Sequence, residues 1–227
     1  MNLASLFSGG KDSAFAFYKA MKEGHDIKVL ITISSKNPES YMFHVPNIKL
    51  TQMQAEAMEI PIIYRTTEGV KEEELWDLKE AIKEAMKIYH VKGVVSGAIY
   101  SNYQRKRIDD ICTELKIESL NPLWKMKPKD MLKEMVSEGF VIIISAVAAE
   151  GLGPEWLGRK IDFKTIEELS DLHNVCYVCT AGEGGEFETL VLDAPFFKKR
   201  LKIFEAEKHW EGKSGEFLVK DAVLVDK

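Results

Sequence analysis

The sequence predicts an α/β fold, a doubly wound parallel sheet followed by a smaller C-terminal α/β or α+β domain. Short apolar runs alternate with helical patterns through the first half, which implies parallel strands joined by crossover helices on both faces of a sheet. The first run stops at a glycine-rich turn, Ser8-Gly9-Gly10, directly before a helical pattern. An apolar stripe of Leu75, Leu78, Ile82, Ala85 and Tyr89, with Glu and Lys opposite, marks a long amphipathic helix.

Taken in order, Leu3-Ala4-Ser5-Leu6-Phe7 is the first strand, and Ala14, Phe17, Tyr18 and Met21 recur at helical spacing behind the turn. A second strand covers residues 27–33, a helix 47–58 and a short strand 62–64. The stripe helix occupies 72–89. A strand at 93–96 leads through Gly97 into a helix carrying Ile108, Ile111 and Leu115. Ligands of such sheets lie beyond the carboxyl ends of the strands, so the turns after Phe7, Ile33 and Ser96 are expected to share one cleft.

The pattern changes at Asn121-Pro122-Leu123-Trp124. A boundary placed there gives domains of residues 1–123 and 124–227. In the second, a helix at 128–137 precedes a dense apolar run at 140–149, and strands are expected near 189–192 and 217–225. The basic run Lys198-Lys199-Arg200 with Lys202 reads as a solvated helix face.

With 227 residues, 45% of them hydrophobic, the chain has enough apolar surface for one large core or two smaller ones. A net charge of −5 argues against a nucleic-acid partner gripped through a broad basic surface. No segment reaches the roughly 18 to 20 apolar residues of a membrane helix, and no secretory pattern opens the chain, so no membrane partner and a cytoplasmic location are expected. Cys112, Cys176 and Cys179 are too few and too unevenly placed for a disulfide framework.

Ser8-Gly9-Gly10-Lys11-Asp12-Ser13 sits between strand and helix, where glycines let a ligand approach the backbone and the helix offers unpaired N–H groups to an anion. It is not a Walker A loop, because position 5 is Ser5 rather than Gly and Asp12 stands where that loop needs Ser or Thr. The six residues resemble the PP-loop of the ATP pyrophosphatases, whose members cut ATP between the α and β phosphates. The resemblance implies a HUP-like PP-loop ATPase fold, with Ser8, Gly9, Gly10, Lys11 and Ser13 around the phosphates and Asp12 holding Mg²⁺ directly or through water.

A second segment, from Val95 to Arg107, begins at a strand end and runs into a helix. Gly97 and Ala98 are expected to face the nucleotide, and Tyr103, Gln104, Arg105 and Arg107 to reach the substrate, since Arg binds phosphate or carboxylate in bidentate fashion. Lys106 reads as solvated. A third segment, Thr180 to Thr189, sets Glu183, Glu186 and Glu188 among Gly182, Gly184 and Gly185, followed by Thr189. Such an acidic turn repels phosphate and suits a cationic substrate, ammonium or a metal. By composition alone it also reads as an exposed hairpin turn.

Together the three segments, the second leading on to Asn121-Pro122-Leu123-Trp124, resemble the diphthine-ammonia ligase family over nearly the whole chain. The resemblance implies that residues 1–123 bind ATP, that residues 124–227 bind substrate, and that the carboxylate of diphthine on elongation factor 2 is adenylated and then amidated by ammonium. It places Lys11, Asp12, Glu183 and Glu186 in catalysis, with Gly184, Gly185, Phe187, Glu188 and Thr189 at the substrate. Phe187 departs from the family's Tyr; an aromatic wall remains that can face a quaternary ammonium.

Two other functions fit parts of the sequence. Cys176-Tyr177-Val178-Cys179 has the spacing of a redox or metal site and keeps open a PP-loop transfer-RNA sulfurtransferase, although a single pair without a second C-x-x-C favours a structural reading. A non-catalytic nucleotide-binding sensor would use the same first turn. The five histidines form no metal-binding pair, and His44 reads as a surface residue near the cleft. Oligomeric state is left open, a homo-oligomer included.

Overall fold

A computed structural model describes residues 1–37, 46–70 and 73–227. His44 therefore lies outside the described residues. The chain divides into two compact units, Met1–Trp124 and Lys125–Lys227.

The first unit runs β1 (Asn2–Leu6), α1 (Lys11–Lys22), β2 (Asp26–Ser35), a 3-10 turn (Ile48–Leu50), α2 (Thr51–Met58), β3 (Ile62–Thr67), α3 (Glu73–Tyr89), β4 (Gly93–Val95), α4 (Asn102–Leu115) and β5 (Glu118–Leu120). All five strands are parallel, in the order β3-β2-β1-β4-β5. From β1 the chain steps outward to β3 and then returns to the other side of β1. The order thus reverses between β1 and β4, whose carboxyl ends flank the switch point where open α/β sheets bind ligands.

Strand alternation builds the core beneath this point. Ala4, Val29, Ile31 and Val94 meet Leu78, Ala81, Ile82 and Ala85 of α3 and Ile108, Ile111 and Cys112 of α4, all buried. The α3 stripe foreseen from its spacing is what reaches the sheet, with Leu75 and Tyr89 packing at its margins. Burial pushes the Cys112 thiol up to about 11, so it behaves as a small core hydrophobe. The other face is covered by α1, which lies against β1, β2 and β4 and buries Phe15, Phe17 and Tyr18.

The second unit contains α5 (Pro128–Ser137), β6 (Val141–Val147), a 3-10 turn (Pro154–Trp156), α6 (Phe163–Cys176), β7 (Phe187–Asp193), β8 (Lys199–Glu211) and β9 (Ser214–Asp226). Its four strands are antiparallel in the order β7-β6-β9-β8, which makes it α+β. The dense apolar run becomes β6, with Ile142 and Ile144 fully buried. α6 starts at Asp162, whose carboxylate accepts the Thr165 N–H at 2.8 Å. That hydrogen bond holds the Asp162 carboxyl below its ordinary range.

The basic run expected on a helix face belongs to a strand. Lys199, Arg200 and Lys202 lie on β8, not on a helix face. All three are exposed, and Leu201 between the last two is buried. β8 is an edge strand, where outward charges are the usual protection against pairing with another chain.

Ile82→Ala is expected to cost about 2–5 kcal/mol, because a fully buried side chain between α3 and the sheet leaves a cavity that the strands cannot close. Guanidinium unfolding checks this, and a shift worth less than about 0.5 kcal/mol would show that the α3 seam is not core.

Candidate active site

The loop after β1 is shaped by its own serines and glycines. The Ser8 N–H donates to Ser13 Oγ at 3.2 Å, the two hydroxyls stand 3.2 Å apart, and Ser13 Oγ donates to the Gly10 carbonyl at 3.1 Å. Gly9 adopts φ +81, a left-handed conformation that glycine takes without strain. Gly10 is the N-cap of α1 and has no side chain with which to cap it, a helix start of the kind that suits an anion.

Lys11 opens α1 with its side chain only 3% exposed, and its Nζ lies 2.9 and 2.7 Å from the two carboxylate oxygens of Asp12. The buried ammonium is therefore neutralised by its neighbour. Asp12 is 29% exposed. Among the described residues no three His, Cys, Asp or Glu side chains gather to hold a metal ion. A single half-open carboxylate beside a phosphate-type loop does fit Mg²⁺, which keeps most of its waters and is carried in on substrate phosphates with one or two protein carboxylates.

Across the switch point, the loop after β4 touches the same helix start. A Cβ built on Gly97 would fall 2.7 Å from the Asp12 carbonyl carbon, 2.9 Å from its oxygen and 2.9 Å from the Ser13 nitrogen. All three are backbone atoms. Ala98 and Ile99 behind it are buried. Ser96 donates its N–H to the Leu120 carbonyl at 2.9 Å and its hydroxyl to Asn121 Oδ1. Asn121 Nδ2 donates in turn to Ser119 Oγ at 3.3 Å and Asp109 Oδ1 at 3.5 Å, tying the ends of β4 and β5 to α4.

The four polar residues expected to reach substrate lie in the first two turns of α4. Ser101 caps this helix by accepting the Gln104 N–H at 3.3 Å. The Arg107 guanidinium lies 3.5 Å from the Tyr103 ring centroid, and that of Arg105 4.4 Å from the Trp124 ring while its Nε stands 3.3 Å from Asp109. Both arginines are thus held over aromatic faces, which limits their rotamers and keeps their charge. Asn121 and Trp124, to which the sequence assigns no role of their own, are the residues that brace this segment.

The acidic turn belongs to the second unit and precedes β7. Gly182 and Gly185 take φ +74 and +83. The two carboxylate oxygens of Glu186 accept the Cys179 N–H at 2.8 Å and the Gly184 N–H at 2.7 Å, so Glu186 closes the turn on itself. Phe187 is 2% exposed, and its ring lies where a Cβ on Gly182 would meet it at 3.2 Å. The ring supports the turn from beneath; it is not the open wall for a cation that its sequence position implies. Thr189 is buried on β7, Glu188 is exposed and Glu183 half-buried. Cys176 and Cys179 are free thiols at partly covered positions.

A parallel sheet with an uncapped helix start at its switch point defines an α/β protein of the nucleotide-binding kind. Comparison with known proteins narrows this. The model of the diphthamide synthase N-terminal domain matches residues 1–119 and that of the diphthamide synthase C-terminal domain residues 127–225, so the chain belongs to the diphthamide synthase family. It is 36% identical to a diphthine–ammonia ligase of Danio rerio over 230 residues, covering 91% of this chain and 88% of that one. The Homo sapiens diphthine–ammonia ligase is 35% identical over 228 residues, covering 91% and 84%. The Schizosaccharomyces pombe enzyme is 32% identical over 246 residues, covering all of this chain but 40% of its own length.

Because Gly97 meets only backbone, Gly97→Ala cannot be relieved by a side-chain rotation and must part the loop from α1. ATP affinity is expected to fall on the order of tenfold or more in a protein that still folds. Gly24→Ala is the control: at φ +85 with nothing within 4 Å, it costs about 1 kcal/mol of backbone strain and leaves ATP affinity unchanged. Equal ATP binding by wild type and Gly97→Ala in a titration would remove this contact from the site.

Proposed function

We propose that the chain is an AMP-forming ligase that amidates diphthine on elongation factor 2 to diphthamide, using ATP and ammonium. Family membership across both halves supports the activity, and the same two matches disfavour a sulfurtransferase or a non-catalytic sensor. The observation that carries the site is the uncapped start of α1, with Lys11 and Asp12 paired beside the switch point.

In this reading the first unit binds ATP through Ser8, Gly9, Gly10, Lys11, Asp12, Ser13, Gly97 and Ala98. The diphthine carboxylate attacks the α phosphorus, the bond to the bridging oxygen breaks, and pyrophosphate leaves with that electron pair. Ammonia then attacks the acyl carbon of the acyl-adenylate, AMP departs, and the amide loses the extra proton to solvent. The outward N–H groups of α1 and the Lys11 ammonium stabilise charge gathering on pyrophosphate. Lys11 exchanges its Asp12 partner for phosphate, which frees the Asp12 carboxylate. Asp12 and the phosphates would hold Mg²⁺, which supplies further charge neutralisation at the leaving group.

The acidic turn receives the cationic side of the reaction, the trimethylammonium of diphthine or ammonium itself, through Glu183, Glu186 and Glu188. Gly184 and Gly185 leave room for it at exposed positions. In the first unit Tyr103, Gln104, Arg105 and Arg107 are the other proposed substrate contacts; Thr189, buried on β7, is not among them. A cytoplasmic setting suits an enzyme acting on a translation factor, and no described helix is long and apolar enough to cross a membrane.

Lys11→Ala and Asp12→Ala should each lower AMP formation on the order of a hundredfold in folded protein, the scale of one lost electrostatic contact to a transition state. The assay contains ATP, Mg²⁺, ammonium and diphthine-bearing elongation factor 2, and near-normal AMP release from both variants would sink the ATP-site assignment. A separate outcome tests the turn. Glu183→Gln keeps size and removes charge, so ATP affinity should stay within about twofold while amide formation falls about tenfold or more. Equal losses in both would move Glu183 to the nucleotide, and no change in either would leave the turn as plain surface.

A further inference from the structure

Gln54, on α2, lies far from the loop in sequence and is absent from every motif above. Its side chain is fully buried, and its Nε2 donates to the Gly9 carbonyl at 3.0 Å. The contact leaves no room for anything but glycine: a Cβ at Gly9 would sit 2.4 Å from Gln54 Oε1 and 3.2 Å from Thr51 Cγ2. The left-handed φ of +81 at Gly9 and the seat offered by the first turn of α2 therefore specify one orientation of the Gly9–Gly10 peptide.

A peptide unit is planar, with C=O and N–H pointing in opposite directions. Drawing the Gly9 carbonyl toward α2 sends the Gly10 N–H away from it. We infer that Gln54 is a positioning residue for the phosphate loop: it fixes this peptide so that the Gly10 N–H joins the α1 first-turn N–H groups in one anion-binding array. Without the amide donor the Gly9–Gly10 peptide can rotate, because glycine on both sides imposes little steric restriction. One N–H of the array is then presented only part of the time, and a ligand must bear the cost of ordering it. The inference rests on the phosphate-site reading proposed above and adds to it a residue that never touches the ligand.

The test uses two probes that separate the phosphate end of the site from the rest. Inorganic pyrophosphate and adenosine are titrated separately into the full chain and into Gln54→Met, which keeps side-chain length and removes the donor. Pyrophosphate affinity is expected to fall about tenfold, the scale of one positioned hydrogen bond, with adenosine affinity within about twofold of wild type. Equal weakening of both probes would mean that Gln54 merely supports the fold, and no weakening of either would also overturn its positioning role. In both cases the phosphate-site reading survives. Failure of the wild type itself to bind pyrophosphate would instead overturn that reading, and this inference with it.

Should Gln54→Met not fold, Gln54→Glu answers the same question with a side chain of nearly identical shape. Its ionised carboxylate cannot donate to Gly9, whereas the protonated acid can. Burial raises the pKa of such a carboxyl above its ordinary value, so pyrophosphate affinity relative to wild type is expected to be reduced about tenfold near pH 9 and to recover toward wild type as pH falls to about 5. A ratio that does not move with pH would overturn the assignment.

Discussion

Everything proposed for the first unit depends on one contact between backbones, that of Gly97 with the first turn of α1. The atoms that face Gly97 are all backbone, so no side chain can yield and the loops after β1 and β4 are held close by atoms that also define the sheet and the helix. The surrounding bonds make the frame stiffer. Gln54 reaches in from α2 to Gly9, and Asn121 reaches from the end of β5 to Ser96. Loops carry the polar groups, but the elements on which they sit determine where those groups stand.

The second unit meets the opposite problem, since a turn with glycines at 182, 184 and 185 has many conformations to lose on ordering. Two interactions choose among them. Glu186 accepts N–H groups from both limbs of the turn, and the Phe187 ring fills the space beneath Gly182. One of the carboxylates that the sequence offers for chemistry thus also serves as the clasp of its own turn. Charge and shape are coupled there, and a change at Glu186 alters both.

Much of the first unit, and α5 of the second, is legible in the sequence because the signals are local. The α3 stripe and the strand–glycine turn–helix start are patterns within a few residues, and α5 spans the residues that its Pro128 start and apolar spacing indicate. The unread elements lack such signals. β5 is three residues long and only partly covered. β8 is exposed along most of its length, with Leu201 its one buried residue, so it shows no clean alternation. α6 ends with Tyr177, not glycine, in the left-handed conformation, so its stop is unmarked. In the site, Ser8 to Ser13 and Gly97 stand out as motifs, whereas the bonds that brace them join residues 45 and 25 positions apart. No local rule connects Gln54 with Gly9 or Asn121 with Ser96; only the folded sheet does.

The pairing of Lys11 with Asp12 has a consequence for selectivity. A buried ammonium that already holds a carboxylate on the adjacent residue contains, in effect, a tethered competitor present at very high local concentration. A dilute monovalent anion such as chloride offers one contact and cannot match it. At the proposed site a polyphosphate would engage the ammonium together with several N–H groups and spread the cost of displacement over all of them. The proposed cradle would therefore discriminate by the number of contacts an anion can make, and would favour a nucleotide over the cell's simple salts.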